Sequence, residues 1–272
     1  MPVTPLSKRT VPKEEVQLIA PCLPVIVAAS FKGGVWKSST AGSIAERLAW
    51  AGLRVLLIVA DRQEDMKMRL GIAPSAAKVS QVKRGQGSIT LVCARGPVVI
   101  DLLYRTGPSS LGQGDFHIAV VDTPPGIEGG LLPGALLIAL TDGNNASTNL
   151  VTMLRQTPKN TEVVLVRVGK KATKEYIKEW ASDVVTIATA SKRKDAHFVP
   201  EPIPRSTQID DALGEGLSVW SLPRHGNTLA FLNCIEMLSA LGWQRVSQQP
   251  MPPMPSSNAS AAFVRGWDDE DA

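Results

Sequence analysis

Seven short apolar runs constrain this chain more than any other feature: 24–30 (PVIVAAS), 54–60 (RVLLIVA), 88–94 (SITLVCA), 117–122 (HIAVVD), 135–141 (ALLIALT), 162–168 (EVVLVRV) and 183–189 (DVVTIAT). They are near-continuous in Val, Ile and Leu instead of alternating with polar residues. Strands buried on both faces read this way, and a parallel sheet covered by helices on each side provides that burial. Segments 38–51, 145–156 and 171–181 are long enough for crossover helices. The pattern predicts an α/β fold with a doubly wound, mostly parallel sheet and helices on both faces. A late helix is expected over about 226–242, with Leu229, Leu232, Ile235 and Leu238 facing the sheet. Aromatics make up only 5% of the chain, so the core must be aliphatic. A chain of 272 residues can bury such a core without disulfide staples.

The organisation expected from composition is a flexible arm over 1–20, one globular region over 21–246 and a tail over 247–272. The tail is rich in Pro, Ser and Ala and ends in DDED. Its Phe263 and Trp267 beside acids suit either a plain tail or a docking peptide. No targeting segment or membrane span is read from the sequence. Cys22, Cys93 and Cys234 are scattered without zinc or iron–sulfur spacing, which predicts a cytoplasmic protein. His117, His197 and His225 lack an acid or nucleophile partner in sequence and are read as structural. The net charge of +4 is compatible with a polyanionic partner.

The chemistry is concentrated after the first run, at Ser30-Phe31-Lys32-Gly33-Gly34-Val35-Trp36-Lys37-Ser38-Ser39-Thr40. A strand leads into a glycine-bearing loop, and Lys-Ser then opens a helix. Backbone N–H groups of such a loop and of the helix start can cradle phosphates. The spacing suits Gly33, Gly34, Val35, Trp36, Lys37, Ser38 and Ser39 to nucleotide binding, with Lys37 on the β- and γ-phosphates and the Ser38 hydroxyl on Mg²⁺. Two later runs end in carboxylates, at Asp61 and at Asp122 before Thr123-Pro124-Pro125-Gly126. Ligands of open α/β sheets bind at the strands' carboxyl ends, where all three features fall.

Together, KGGVWKSS, VADRQ and DTPPG resemble the motifs KGGxGKS/T, DxDPQ and DxPP of the ParA/MinD family of deviant-Walker P-loop ATPases, most nearly its ParA side. Ile203-Pro204-Arg205-Ser206 is similar to the family's late IPxR segment. The resemblance covers about residues 22–243. It implies ATP and Mg²⁺ as cofactors and a nucleotide-dependent homodimer with ATP sandwiched between subunits. Lys32 would reach the partner's phosphates, Lys37 its own subunit's phosphates, and Asp61 would position attacking water. Asp122 would help hold the metal. Arg167 and Pro204 would flank the adenine. It further implies nonspecific DNA and an activating ParB-like or cargo-adaptor protein as partners, no membrane, and a cytoplasmic or nucleoid-associated setting.

Trp36 departs from the pattern, because the family has glycine there. If the loop keeps its path, the indole must point outward or the loop must widen; the simplest expectation is a ring exposed beside the loop. Basic residues accumulate later, and Lys170, Lys171, Lys174, Lys178, Lys192, Arg193 and Lys194 are candidate contacts to DNA phosphates. Two functions follow. One is an ATP-dependent switch, slow in turnover, for plasmid or chromosome partition or cargo positioning. The other is a catalytically degenerate scaffold or regulator in plasmid maintenance or conjugation that binds nucleotide weakly.

Overall fold

The computed structural model describes residues 20–60, 65–73, 75, 79–112, 114–126, 132–143, 146–169 and 173–254. In chain order the elements are β1 (Val25–Ala29), α1 (Lys37–Trp50), β2 (Arg54–Val59), α2 (Asp65–Arg69), β3 (Val79–Arg84), β4 (Gly87–Cys93) and α3 (Pro97–Ile100). Then come β5 (Ile118–Asp122), β6 (Leu136–Thr141), α4 (Ala146–Gln156), β7 (Glu162–Gly169), α5 (Lys174–Ser191), β8 (His197–Phe198), β9 (Ile203–Pro204), α6 (Thr207–Gly214) and α7 (Gly226–Gln244).

The strands order as β3-β4-β2-β5-β1-β6-β7-β8, with β9 on the far end of β7. All described pairings are parallel except the β3–β4 hairpin. Every residue of β1, β5 and β6 is buried, as their unbroken apolar runs require. One core layer joins the sheet to α1 and α7 through Ile44, Leu48, Phe231, Ile235 and Leu238. The layer on the opposite face holds Leu150, Leu154, Trp180 and Ile187 from α4 and α5. The doubly wound expectation is therefore met.

At four places the structure differs from the sequence reading or adds to it. Segment 183–189 is the second half of α5, not a strand. Its β-branched residues read locally as a strand, but Trp180, Val184, Ile187 and Ser191 recur at helical spacing and are buried, while Val185 is 66% exposed. The Thr173 hydroxyl accepts from the Tyr176 N–H at 3.2 Å to start this helix, and Lys192, at φ 60°, ends it. The half-exposed hairpin strand β3 was not expected, because its polar edge sequence VSQVKR lacks a continuous apolar run. In α7, Leu232, Ile235 and Leu238 are buried, but Leu229 is exposed and Phe231 takes the inward place. Finally, packed chain runs past 246 to 254. Trp243 Nε1–H donates to the Gln249 carbonyl at 2.7 Å, the fully buried Arg47 donates to the Pro252 carbonyl, and Met251 and Met254 rest on the core. The expected arm and the tail beyond 254 lie outside the described residues.

The hairpin turn sits hard against α1. A Cβ on Gly87 would collide with the backbone carbonyl oxygens of Ala49 and Leu53, neither of which can swing away. Gly87→Ala should therefore lower the unfolding free energy by at least about 1 kcal/mol, read from the midpoint of urea denaturation.

Candidate phosphate-binding cleft

Parallel pairing sets the tips of β1, β5 and β6 side by side, with Ala28 opposite Asp122 on one flank and Ile138 on the other. Three carboxyl-end segments therefore meet. The loop after β1 carries Lys32 and Lys37, β5 ends in Asp122, and Asp142 follows β6. Lys37, the first residue of α1, is buried and its Nζ lies 2.8 Å from Asp122 Oδ1. Lys32 Nζ lies 2.7 Å from Asp142 Oδ2, with the lysine side chain 62% exposed at the rim. The cleft has a volume of about 420 Å³, and its walls include Gly33, Gly34, Ser38, Ser39, Arg69 and Pro125 besides both lysines.

The loop turns through two left-handed residues, Gly34 at φ 74° and Trp36 at φ 55°, ψ 26°. Gly34 meets that demand without a Cβ, and beside it there is open space. Trp36 takes the conformation that favours glycine, at a cost of about 1–2 kcal/mol. Its ring offsets that cost by packing edge-on against Phe231 of α7, with centroids 5.5 Å apart at 88°. The indole N–H also interacts with the Asp210 carboxyl of α6. Partial burial pushes the Asp210 carboxyl above its ordinary range, while Arg69, the Trp36 N–H and Arg205 pull it back. The expected exposed indole is thus corrected: the ring is half-buried, because α6 and α7 supply an apolar edge and an acceptor. Arg205 fixes the loop from the same side, donating from Nη2 to the Gly34 carbonyl at 2.9 Å.

Several anticipated residues lie elsewhere. Val35 is in the core and does not line the cleft. Arg167 is also absent from the cleft wall: it is buried on β7, bonds Glu179 at 3.1 Å and Asp183 at 3.3 Å, and stacks 4.1 Å over the Tyr176 ring. A buried guanidinium needs compensation, and α5 supplies it from two carboxylates one turn apart. Pro204 is buried in β9 opposite Gly169 and also lies off the cleft wall. Asp61, Lys170 and Lys171 are outside the described residues. Lys174, Lys178, Lys192 and Lys194 are exposed. Arg193 is not a surface cation. Its guanidinium is buried and donates to the Thr157, Pro158 and Thr161 carbonyls and to Asp195, tying the α4 end to the α5 end. Of the participants that sequence reading missed, Asp142 had a signal, since it follows an apolar strand just as Asp122 ends one. Arg69 had none.

A polyphosphate fits these residues: cationic Lys32, Lys37 and Arg69 surround the start of α1, and the turn leaves room for an anion against the backbone. A hard divalent cation fits too, because Ser38 and Asp122 both line the cleft and offer oxygen donors.

A family model described as the CobQ/CobB/MinD/ParA nucleotide-binding domain matches residues 26–219. The chain belongs to this family. Solved structures of the same fold include apo McdA from Cyanothece, at 18% identity and TM-score 0.58, covering 79% of this chain and 99% of that one. The MinD cell division protein from Aquifex aeolicus follows at 22% identity and TM-score 0.58, covering 85% and 100%. Cobyrinic acid a,c-diamide synthase from Mycobacterium smegmatis, with bound ADP and magnesium, gives 20% identity and TM-score 0.53, covering 85% and 99%. No curated protein sequence matches the chain. The MinD/ParA-type domain has a P-loop ATPase fold. Among its described residues, no helix is long and apolar enough to cross a membrane.

Proposed function

We propose that this MinD/ParA-type domain is an ATP- and Mg²⁺-dependent switch that works as an ATP-sandwich dimer on nonspecific DNA, in plasmid or chromosome partition or in cargo positioning. The observation that carries the reading is the division of labour between two lysines of one loop. Lys37 is buried against Asp122 inside the cleft, whereas Lys32 stands exposed at the rim, where a second subunit could meet it. On this reading Lys32 leaves Asp142 when the dimer forms. Lys37 holds the phosphates of its own subunit, Ser38 and Asp122 orient the metal side, and Asp61 is assigned to the attacking water. Mg²⁺, when bound, neutralises charge on the phosphate oxygens. Turnover then depends on positioning and charge stabilisation, and slow hydrolysis awaiting a ParB-like or adaptor activator is the expected behaviour. The setting proposed is the cytoplasm, on the nucleoid, with no membrane partner. The domain limits proposed are a core from about 21 to 254 with an arm before it and a tail after it.

DNA contact is assigned to Lys174 and Lys178, one helical turn apart on the exposed side of α5, with Lys192 and Lys194 past its end; Lys170 and Lys171 complete the proposed group. Binding should be indifferent to sequence and should fall with rising salt. Lys174→Gln with Lys178→Gln should weaken all sequences alike and reduce the log–log salt slope by about 2. Fluorescence anisotropy with two unrelated duplexes, with and without ATP, reads this. No binding at low salt in the presence of ATP would remove the partition reading.

Trp36 favours a second reading, a scaffold or regulator in plasmid maintenance or conjugation that binds nucleotide without hydrolysing it. A ring where relatives have glycine ties the loop to α6 and α7 and could hold it short of the hydrolytic geometry. Phosphate release measured with Mg²⁺-ATP and DNA separates the two: sustained turnover excludes the second reading.

A further inference from the structure

Arg69 is a cleft residue, with Asp65 and Met66 of the same helix, for which the family motifs and the sequence offered no role. It closes α2, and the burial of Met66 and Leu70 on either side fixes where its backbone stands. The side chain lines the cleft together with Lys37, Ser38, Ser39 and Asp122. Its hydrogen bonding differs from that of the two loop lysines. Lys37 and Lys32 each face a carboxylate within 2.8 Å. The Arg69 guanidinium instead donates from Nη1 to a neutral hydroxyl, Ser39 Oγ, at 2.9 Å, and its Nε is buried with no hydrogen-bond partner among the described residues. Asp210 is near enough to feel its charge but is already engaged by the Trp36 indole.

A guanidinium carries five donors in a planar fork matched to phosphate oxygens. Among the described residues most of that fork is unused, and a buried N–H without an acceptor costs free energy that a ligand oxygen could recover. Its hydrogen-bonded neighbour among the described residues, Ser39, belongs to the glycine-bearing loop and its helix.

We propose that Arg69 is a phosphate-anchoring residue of this cleft, supplied from α2 of the same subunit, that engages the nucleotide's phosphate oxygens beside Ser39. It adds a bidentate contact at the loop where Trp36 stands in place of glycine. The proposal rests on the nucleotide-binding reading of the cleft and adds to it a ligand residue outside the loop.

The test is calorimetric titration of the full chain with Mg²⁺-ATP and with Mg²⁺-ADP, for wild type, Arg69→Gln and Arg69→Lys, alongside thermal melting without nucleotide. Gln keeps a hydrogen bond to Ser39 without the charge; Lys keeps the charge without the fork. The expected result is an ATP affinity about tenfold weaker in Arg69→Gln, with partial recovery in Arg69→Lys and an unchanged melting temperature. Wild-type affinity in Arg69→Gln overturns the proposal and leaves the nucleotide reading intact. Joint loss of affinity and melting temperature without recovery in Arg69→Lys assigns Arg69 a structural role and also overturns it. If the wild-type chain binds neither nucleotide, the reading of the cleft fails first and this proposal falls with it.

Discussion

Replacing Lys37 with alanine should lower ATP affinity by about 100-fold or more. The Lys37 ammonium is the cleft cation closest to Asp122 and sits at the first residue of α1, where the backbone N–H groups also point. A charge-assisted contact to phosphate in a site of low solvent access is worth about 1.5–3 kcal/mol, and Lys37 can make more than one. The same change removes a cation 2.8 Å from a carboxylate that is itself 1% exposed. Breaking one side of a buried pair typically costs about 3–5 kcal/mol, so the protein without nucleotide should lose stability as well. Calorimetric titration with Mg²⁺-ATP and urea denaturation of the apo protein measure the two effects separately. Lys37→Arg should restore little of the affinity, because the longer planar group cannot occupy the buried lysine's position. Unchanged ATP affinity in Lys37→Ala would exclude this loop as the nucleotide site.

Trp36→Gly should destabilise the protein by about 1.5 kcal/mol while leaving ATP affinity within about threefold of wild type. Three magnitudes decide the sign. Full truncation of a buried tryptophan costs about 3–5 kcal/mol, and half-burial here brings that to about 2. Loss of the edge-on contact with Phe231 adds about 0.5–1.5 kcal/mol. Relief of the left-handed backbone returns about 1–2 kcal/mol. Packing wins. Affinity should change little because the loop already makes the left-handed turn that glycine would make, so removing the ring does not open a path for the phosphates that is now closed. Melting temperature and ATP titration on the same preparation check both halves. A tenfold gain in affinity would mean that the indole obstructs the cleft, and would strengthen the reading of a degenerate ATPase.

The fold was legible because strands buried on two faces have no polar face to maintain, and their sequences show it at β1, β2, β4, β5, β6 and β7. The same signal failed at 183–189. A run of Val, Thr and Ile has no fixed local preference strong enough to override packing, and the burial of Trp180, Val184 and Ile187 against the sheet makes it helix. β3 escaped notice for the opposite reason, since an edge strand with one wet face carries little apolar signal.

The chemical residues divide in a similar way. Sequence alone determined the glycine-bearing loop after β1, the place of Lys37 at a helix start and the carboxylate at the end of β5, because each is a local feature with a fixed offset from a strand or helix end. Only the tertiary structure decided what those groups face. It paired Lys32 with Asp142 across 110 residues and aimed Trp36 at Phe231 and Asp210. It also took Arg167 and Arg193 from the expected site and surface into ion pairs in which the guanidinium is buried and the carboxylate exposed, and brought Arg69 to Ser39. Ion pairs and ring contacts form between elements that the sheet order makes neighbours, and that order is set by which faces must be buried together, which no single segment encodes.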